Sequence, residues 1–196
     1  MEREIEIDAP ASVVWTAITD AVELSRWFPL EARVTPGLGG SVWMRWDAEA
    51  PDTSTITAWD PQRHLRIEDV AGTWSGIATD YYLRPSSSGE ATILRVVSSG
   101  FGDGDAWDDT VGAFGRGWDF ELRGLRHYLT RHRGTPRVVL SALVSYSTSD
   151  DVAWQSVMRW LGFADPVLTE GQRFATTMQT GDSLSGSVQH AGPMQL

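Results

Sequence analysis

Residues Asp105 to Leu129 read Asp-Ala-Trp-Asp-Asp-Thr-Val-Gly-Ala-Phe-Gly-Arg-Gly-Trp-Asp-Phe-Glu-Leu-Arg-Gly-Leu-Arg-His-Tyr-Leu, and this stretch decides the fold. Trp107, Val111, Phe114, Trp118, Leu122, Leu125 and Leu129 recur every three or four positions, which is one apolar stripe on a long helix. Asp105, Asp108 and Asp109 suit the positive end of its dipole, and Arg123, Arg126, Arg131 and Arg133 suit the negative end. Gly112, Gly115, Gly117 and Gly124 interrupt the helix, each costing about 0.8–1.0 kcal/mol relative to Ala. Either they let another backbone approach, or they leave the first half of the helix loose over a cavity. Close packing is the preferred reading, because small residues at contacts need no special function.

Upstream, Glu4-Ile-Glu-Ile-Asp8 alternates as a strand does and stops at Pro10. Val13, Val14, Ala17 and Ile18 then follow helical spacing, with Ser12 as the expected cap, and Leu24, Trp27 and Phe28 form a second short turn before Pro29. Glu31 to Thr35 reads as a short strand. Pro36-Gly-Leu-Gly-Gly40 leads into Val42-Trp-Met-Arg-Trp46. A phosphate-cradling glycine loop requires a helix next, whereas here a strand follows, so this is a turn. Further strands are expected over Thr53–Trp59, Leu65–Glu68, Ile77–Leu83 and Thr92–Ser98, with turns at Asp60-Pro61 and Ser86-Ser-Ser-Gly89. Short strands joined this way make an antiparallel meander. With Arg45, Arg66, Arg84 and Arg95 turned to water, alternation puts Val42, Met44, Trp46, Leu65, Ile67, Ile77, Thr79, Tyr81, Leu83, Leu94, Val96 and Ser98 on the inner face.

At these residues the chain resembles the START-like, or SRPBCC, superfamily, in the branch related to the activator of the heat-shock chaperone ATPase. That family opens with a strand, Ala-Pro, a helix containing Val-Trp, and a Trp-Phe; Ala9-Pro10, Val14-Trp15 and Trp27-Phe28 stand in those places. Its Gly-Gly strand entry is Gly39-Gly40, its Asp-Pro turn and following Leu are Asp60-Pro61 and Leu65, and its closing Gly-Trp helix is Gly117-Trp118 with Leu122 and Leu125. The resemblance spans residues 1–132. It implies an α+β helix-grip fold, like that of the birch-pollen allergens: a curved antiparallel sheet around a long C-terminal helix, with a cavity between them. Ser98 stands where family members often carry a His.

Residues 137–196 exceed that core and read as a β-α-β-β extension: a strand over Arg137–Tyr146, a helix over Asp150–Leu161, and a hairpin of Gln172–Gln179 with Ser185–His190. The outer face of the main sheet carries Trp43, Tyr82, Ile93 and Val97, which are costly to leave in water. The extension is therefore expected to pack on the main domain or on a partner subunit and cover them. Pro193-Met-Gln-Leu196 forms no evident terminal element, which leaves room for a longer natural chain.

Composition narrows the function. The 196 residues suffice for one full core with about 50–60 left for an extension. Hydrophobic residues make up 41 % and include 10 Trp, each suited to core, cavity wall or interface. A net charge of −10 without a basic stripe argues against nucleic acid. No cysteine is present, so disulfides and thiolate metal sites are excluded. The N-terminus lacks the character of a signal peptide, and no apolar run approaches the roughly 20 residues that span a bilayer. A cytoplasmic address is the expectation.

Motifs for nucleophilic or metal chemistry are missing. His127 and His132 are not an i, i+4 zinc pair, and His64 and His190 read as surface residues. Asp103, Asp105, Asp108 and Asp109 lack the glycine and the bidentate Glu of a calcium loop, and capping explains them better. Gly72-Thr-Trp-Ser-Gly76 has its serine one place late for a nucleophile elbow. Neither metal nor cofactor is expected.

What remains is an apolar pocket with sparse polar groups. Its expected walls are Phe28, Met44, Trp46, Ile67, Thr79, Tyr81, Leu94, Val96, Ser98, Val111, Phe114 and Trp118, unless Trp46 and Trp118 fill it. Tyr81 and Asp69 are the best candidates for proton transfer, although a buried Tyr usually just satisfies its hydroxyl locally. The preferred reading is a binder of a hydrophobic small molecule, lipid-like or aromatic. The alternatives are a polyketide cyclase or aromatase using the same cavity, and a co-chaperone-like module with a protein partner. A homodimer is compatible with each.

Overall fold

The computed structural model describes residues 1–46, 51–71, 74–87, 89–102, 104–139, 147–164 and 167–191. They form two compact units, Met1–Val139 and Leu140–Leu196. In the first unit the order is β1 (Glu2–Ile7), α1 (Ala11–Thr19), α2 (Ala21–Leu24), β2 (Glu31–Thr35), β3 (Ser41–Arg45), β4 (Asp52–Asp60), β5 (His64–Ala71), β6 (Ala78–Pro85), β7 (Thr92–Ser99) and α3 (Asp105–His127). A π-helical turn, Tyr128–His132, prolongs α3.

The strands make a seven-stranded sheet in the order β1-β7-β6-β5-β4-β3-β2. Every pairing is antiparallel, and every pair except β1–β7 joins neighbours in sequence. This is the helix-grip fold. Two register shifts interrupt β4–β5: Ile56 faces Ile67 while Ala58 faces Arg66, and Thr53 faces Ala71 while Ser54 faces Asp69. Thr57 and Val70 are thus extra residues. Such bulges bend a strand and redirect side chains; beyond the second, Asp69 ends directly opposite Ser54.

Helix starts differ from the sequence reading. Ser12 lies inside α1, which begins after Pro10 without a side-chain cap. Asp20 caps instead, accepting from the Val22 and Glu23 amides at 3.0 and 2.9 Å at the start of α2.

One core joins α1, the sheet's inner face and the second half of α3, with Ile7, Val14, Ile56, Leu94, Val96 and Leu125 sealed from solvent. Full burial of each such side chain is worth about 1.5–3 kcal/mol. The α3 stripe is split. Trp118, Leu122, Leu125 and Leu129 are buried, whereas Trp107, Val111 and Phe114 are only partly covered. Arg3 of β1 spans to Asp119 of α3 at 2.7 Å.

The glycines of α3 divide in the same way. A Cβ on Gly115 would lie 2.6 Å from the Arg3 guanidinium, so a side chain there would make Arg3 shift. Added at Gly117 or Gly124, it would meet nothing within 4 Å. Packing therefore does not account for those two; they face open space.

The sheet covers part of its own outer face. The Arg33 guanidinium lies 4.5 Å from the centre of the Trp43 ring. Tyr82 stacks flat on His64 at 4.4 Å, with Arg95 on its ring at 5.7 Å.

The second unit has its own small core. Met158 of α4 (Asp150–Trp160) meets Leu168 and Val188, with Trp154, Phe163 and Phe174 around them. Its hairpin pairs β8 (Arg173–Thr177) with β9 (Ser183–Ser187). Of the strand expected over Arg137–Tyr146, residues 137–139 are not extended into a ladder, and 140–146 lie outside the described residues. Among the described residues no helix is long and apolar enough to cross a membrane.

Candidate ligand cavity

A cavity of about 340 Å³ lies between β3–β6 and the middle of α3. Period-two alternation supplies its floor. Met44 comes from β3, Asp52 and Ser54 from β4, Ile67 and Asp69 from β5, and Thr79 and Tyr81 from β6. The helix roof is Ala113, Phe114, Gly117, Trp118 and Glu121, with Phe28, Trp46 and Trp74 on the sides.

Of the residues singled out from sequence, Phe28, Met44, Trp46, Ile67, Asp69, Thr79, Tyr81, Phe114 and Trp118 line this space. Leu94, Val96, Ser98 and Val111 do not. Leu94 and Val96 are sealed in the core, and Ser98 lies behind Thr79, its hydroxyl 3.2 Å from the threonine's. For the three β7 residues the reason is topological, since β7 is covered by the core and the cavity lies over β3–β6; Val111 of α3 is partly covered away from it. Trp46 and Trp118 are walls rather than plugs. Phe28 packs between them, edge-on to Trp46 at 4.4 Å and stacked on Trp118 at 5.4 Å, while Tyr81 meets Trp118 edge-on at 5.7 Å. Trp74 and Phe114 form a second aromatic pair at 4.9 Å.

Sequence reasoning missed Asp52, Ser54, Trp74, Ala113, Gly117 and Glu121 as wall residues. For Glu121 a signal existed, since it lies one helical turn after Trp118 and Gly117. Ser54 was readable from alternation with Ile56, once that strand's inner face is fixed.

The polar groups are unusually placed. Ser54, wholly buried, donates its hydroxyl to Asp69 Oδ1. Burial pushes the Asp69 carboxyl above its ordinary range; the Ser54 hydrogen bond opposes this and the charge of Asp52 adds to it. Burial also raises Glu121, to about 7, against the pull of Arg137. The Tyr81 phenol is pushed well above its usual value, by burial and then by Asp69, so it stays a neutral donor near neutral pH.

Residues 8–130 match the model of the family described as Activator of Hsp90 ATPase homolog 1-like protein. The chain belongs to that family. Solved structures similar to this activator-like domain include the Aha1 dimer from Colwellia psychrerythraea, with TM-score 0.60 and 18 % identity over 68 % of this chain and 98 % of that one. CalU16 from Micromonospora echinospora gives 0.54 and 23 % over 69 % and 75 %. Protein MLL2253 from Mesorhizobium loti gives 0.57 and 21 % over 67 % and 98 %. At these identities the likeness carries the fold alone. No curated protein matches the chain.

In this activator-like domain a second cavity, of about 310 Å³, lies at the far end of α3. Arg26, Trp27, His127, Tyr128, His132 and Arg137 line it, and Glu121 borders both spaces. Tyr128 donates to Glu23 at 2.5 Å and Arg137 to the Phe28 carbonyl at 2.9 Å. Chemically, the main cavity offers a phenol, two hydroxyls and three carboxyls behind aromatic walls. The sequence has neither lysine nor cysteine, so this chain offers the cavity no lysine amine and no thiolate. Among the described residues no three His, Asp or Glu come together as a metal site.

Proposed function

We propose that the chain binds a hydrophobic small molecule in the cavity between β3–β6 and α3. The observation that supports this most is a void of about 340 Å³ whose aromatic walls pack on one another instead of collapsing inward. That volume is within the range of small-molecule sites, roughly 300–1,000 Å³. Gly117 adds to it, since a helix glycine facing open space costs stability and gives up a contact.

A cyclase-type enzyme is the second reading, favoured by one observation. Tyr81, Asp69 and Glu121 line a single cavity, and Glu121 titrates near neutrality, where general acid–base groups work best. The dimeric Colwellia structure supports extending the proposal to self-association, which sedimentation velocity tests.

Native mass spectrometry of the purified protein, then thermal shifts over a panel of apolar aromatics, tests the binding reading. The expected result is a discrete bound molecule or a ligand-dependent rise in melting temperature that Gly117→Leu abolishes by filling the void. No bound mass and no shift across the panel would overturn it.

A further inference from the structure

The main cavity's charge balance is one-sided. Asp52, Asp69 and Glu121 line it, and among the described residues no arginine or histidine does. The chain has no lysine to supply one. Several carboxylates elsewhere on the sheet are matched: Glu2 with Arg95, Glu4 with Arg84, Glu31 with Arg33 and Arg45, Glu68 and Asp80 with Arg66. The cavity acids differ from these in lining an aromatic-walled space without an arginine beside them among the described residues.

The walls are aromatic as well as acidic. Phe28, Trp46 and Trp118 cluster on one side, with Trp74 and Phe114 a second pair. Aromatic faces are negative at their centres and attract organic cations, Trp most of all. Carboxylates half-removed from water gain in turn from a cation brought among them, and they repel an anion. We infer that the cavity takes a lipophilic organic cation, such as a hydrophobic amine protonated near neutral pH or a quaternary ammonium. It therefore discriminates against fatty acids and other anionic amphiphiles. This rests on the reading of the cavity as a small-molecule site and names the class of its ligand.

Other candidate roles for the acids are weaker. Ser54 satisfies only one oxygen of Asp69. Arg137, whose charge reaches Glu121, lines the neighbouring cavity and is committed to the Phe28 carbonyl at 2.9 Å. Among the described residues, the titratable groups facing the cavity are Asp52, Asp69, Tyr81 and Glu121, with Arg137 behind the last. For a permanently charged ligand, affinity should rise with pH through about 7, as Glu121 loses its proton.

Three probes with one aromatic body decide the matter by calorimetry at constant ionic strength: (2-naphthylmethyl)trimethylammonium, 2-naphthylmethanol and 2-naphthoate. The expected order is ammonium about tenfold tighter than the alcohol, with naphthoate weakest. The ammonium-to-alcohol affinity ratio should fall toward one in Glu121→Gln and Asp69→Asn, a readout that a general loss of folding does not mimic. Naphthoate binding as tightly as the ammonium, or equal affinity for ammonium and alcohol, would overturn the charge preference and leave the cavity reading standing. No binding of any probe, together with no shift across the aromatic panel, would overturn both.

Discussion

Asp80 and Asp69 lie on adjacent strands of one sheet and are handled in opposite ways. Asp80, on the outer face, is only 5 % exposed and is held by Arg66 Nη1 at 2.6 Å and His64 Nε2 at 2.7 Å. Asp69, on the inner face, has a serine hydroxyl for company and aromatic rings around it. A carboxylate removed from water needs a cation or a proton. The outer acid has its cation, Arg66, built in; the inner one keeps a raised proton affinity. The difference separates groups that finish the fold from groups that await something else.

That contrast can be attacked from either side. The largest effect is expected at Asp80→Ala, which strips Arg66 and His64 of their shared partner. It should cost about 2–3 kcal/mol in urea unfolding. A loss below about 1 kcal/mol would show the outer network to be ornamental.

Glu121→Gln should move the other way. Its folded value, near 7, lies above the ordinary 4.5. Its favourable contribution is thus present below about pH 4.5 and lost as pH rises through about 7. With the charge removed, the unliganded protein should gain roughly 1–2 kcal/mol at pH 8, discounted for partial solvent access, and be nearly unchanged at about pH 4. A destabilised variant at pH 8 would mean that the carboxylate has a structural partner after all. The smallest effect belongs to Glu4→Gln at the exposed pair with Arg84. It should change stability by less than about 0.5 kcal/mol, and that little should vanish in high salt.

The sequence is a good guide to elements and a poorer one to the void. Alternation and the α3 stripe are local patterns, and they place Met44, Ile67, Thr79, Tyr81 and Trp118 on the inward side, where the structure has them. Periodicity says which way a side chain points but not whether anything stands opposite. Leu94, Val96, Thr79 and Tyr81 all point inward. The first two end in the core, whereas Thr79 and Tyr81 also border the cavity, with Tyr81 against Trp118 of the helix. Gly115 and Gly117 are two residues apart, yet one abuts Arg3 and the other opens on space. The bulge that sets Asp69 against Ser54 comes from pairing between strands and has no signature within either one.

The sheet's one non-neighbouring pairing has a consequence in time. The hairpins from β2 to β7 form between adjacent segments, whereas the Met1 amino group meets the Ser98 carbonyl at 2.9 Å across 97 residues, and Arg3 reaches still farther, to Asp119. Long-range closures of this kind slow folding. During synthesis β1 is made before any of its partners and waits, unpaired, until β7 and α3 have emerged. The segment that completes the grip around the cavity is the one translated before the sheet it joins.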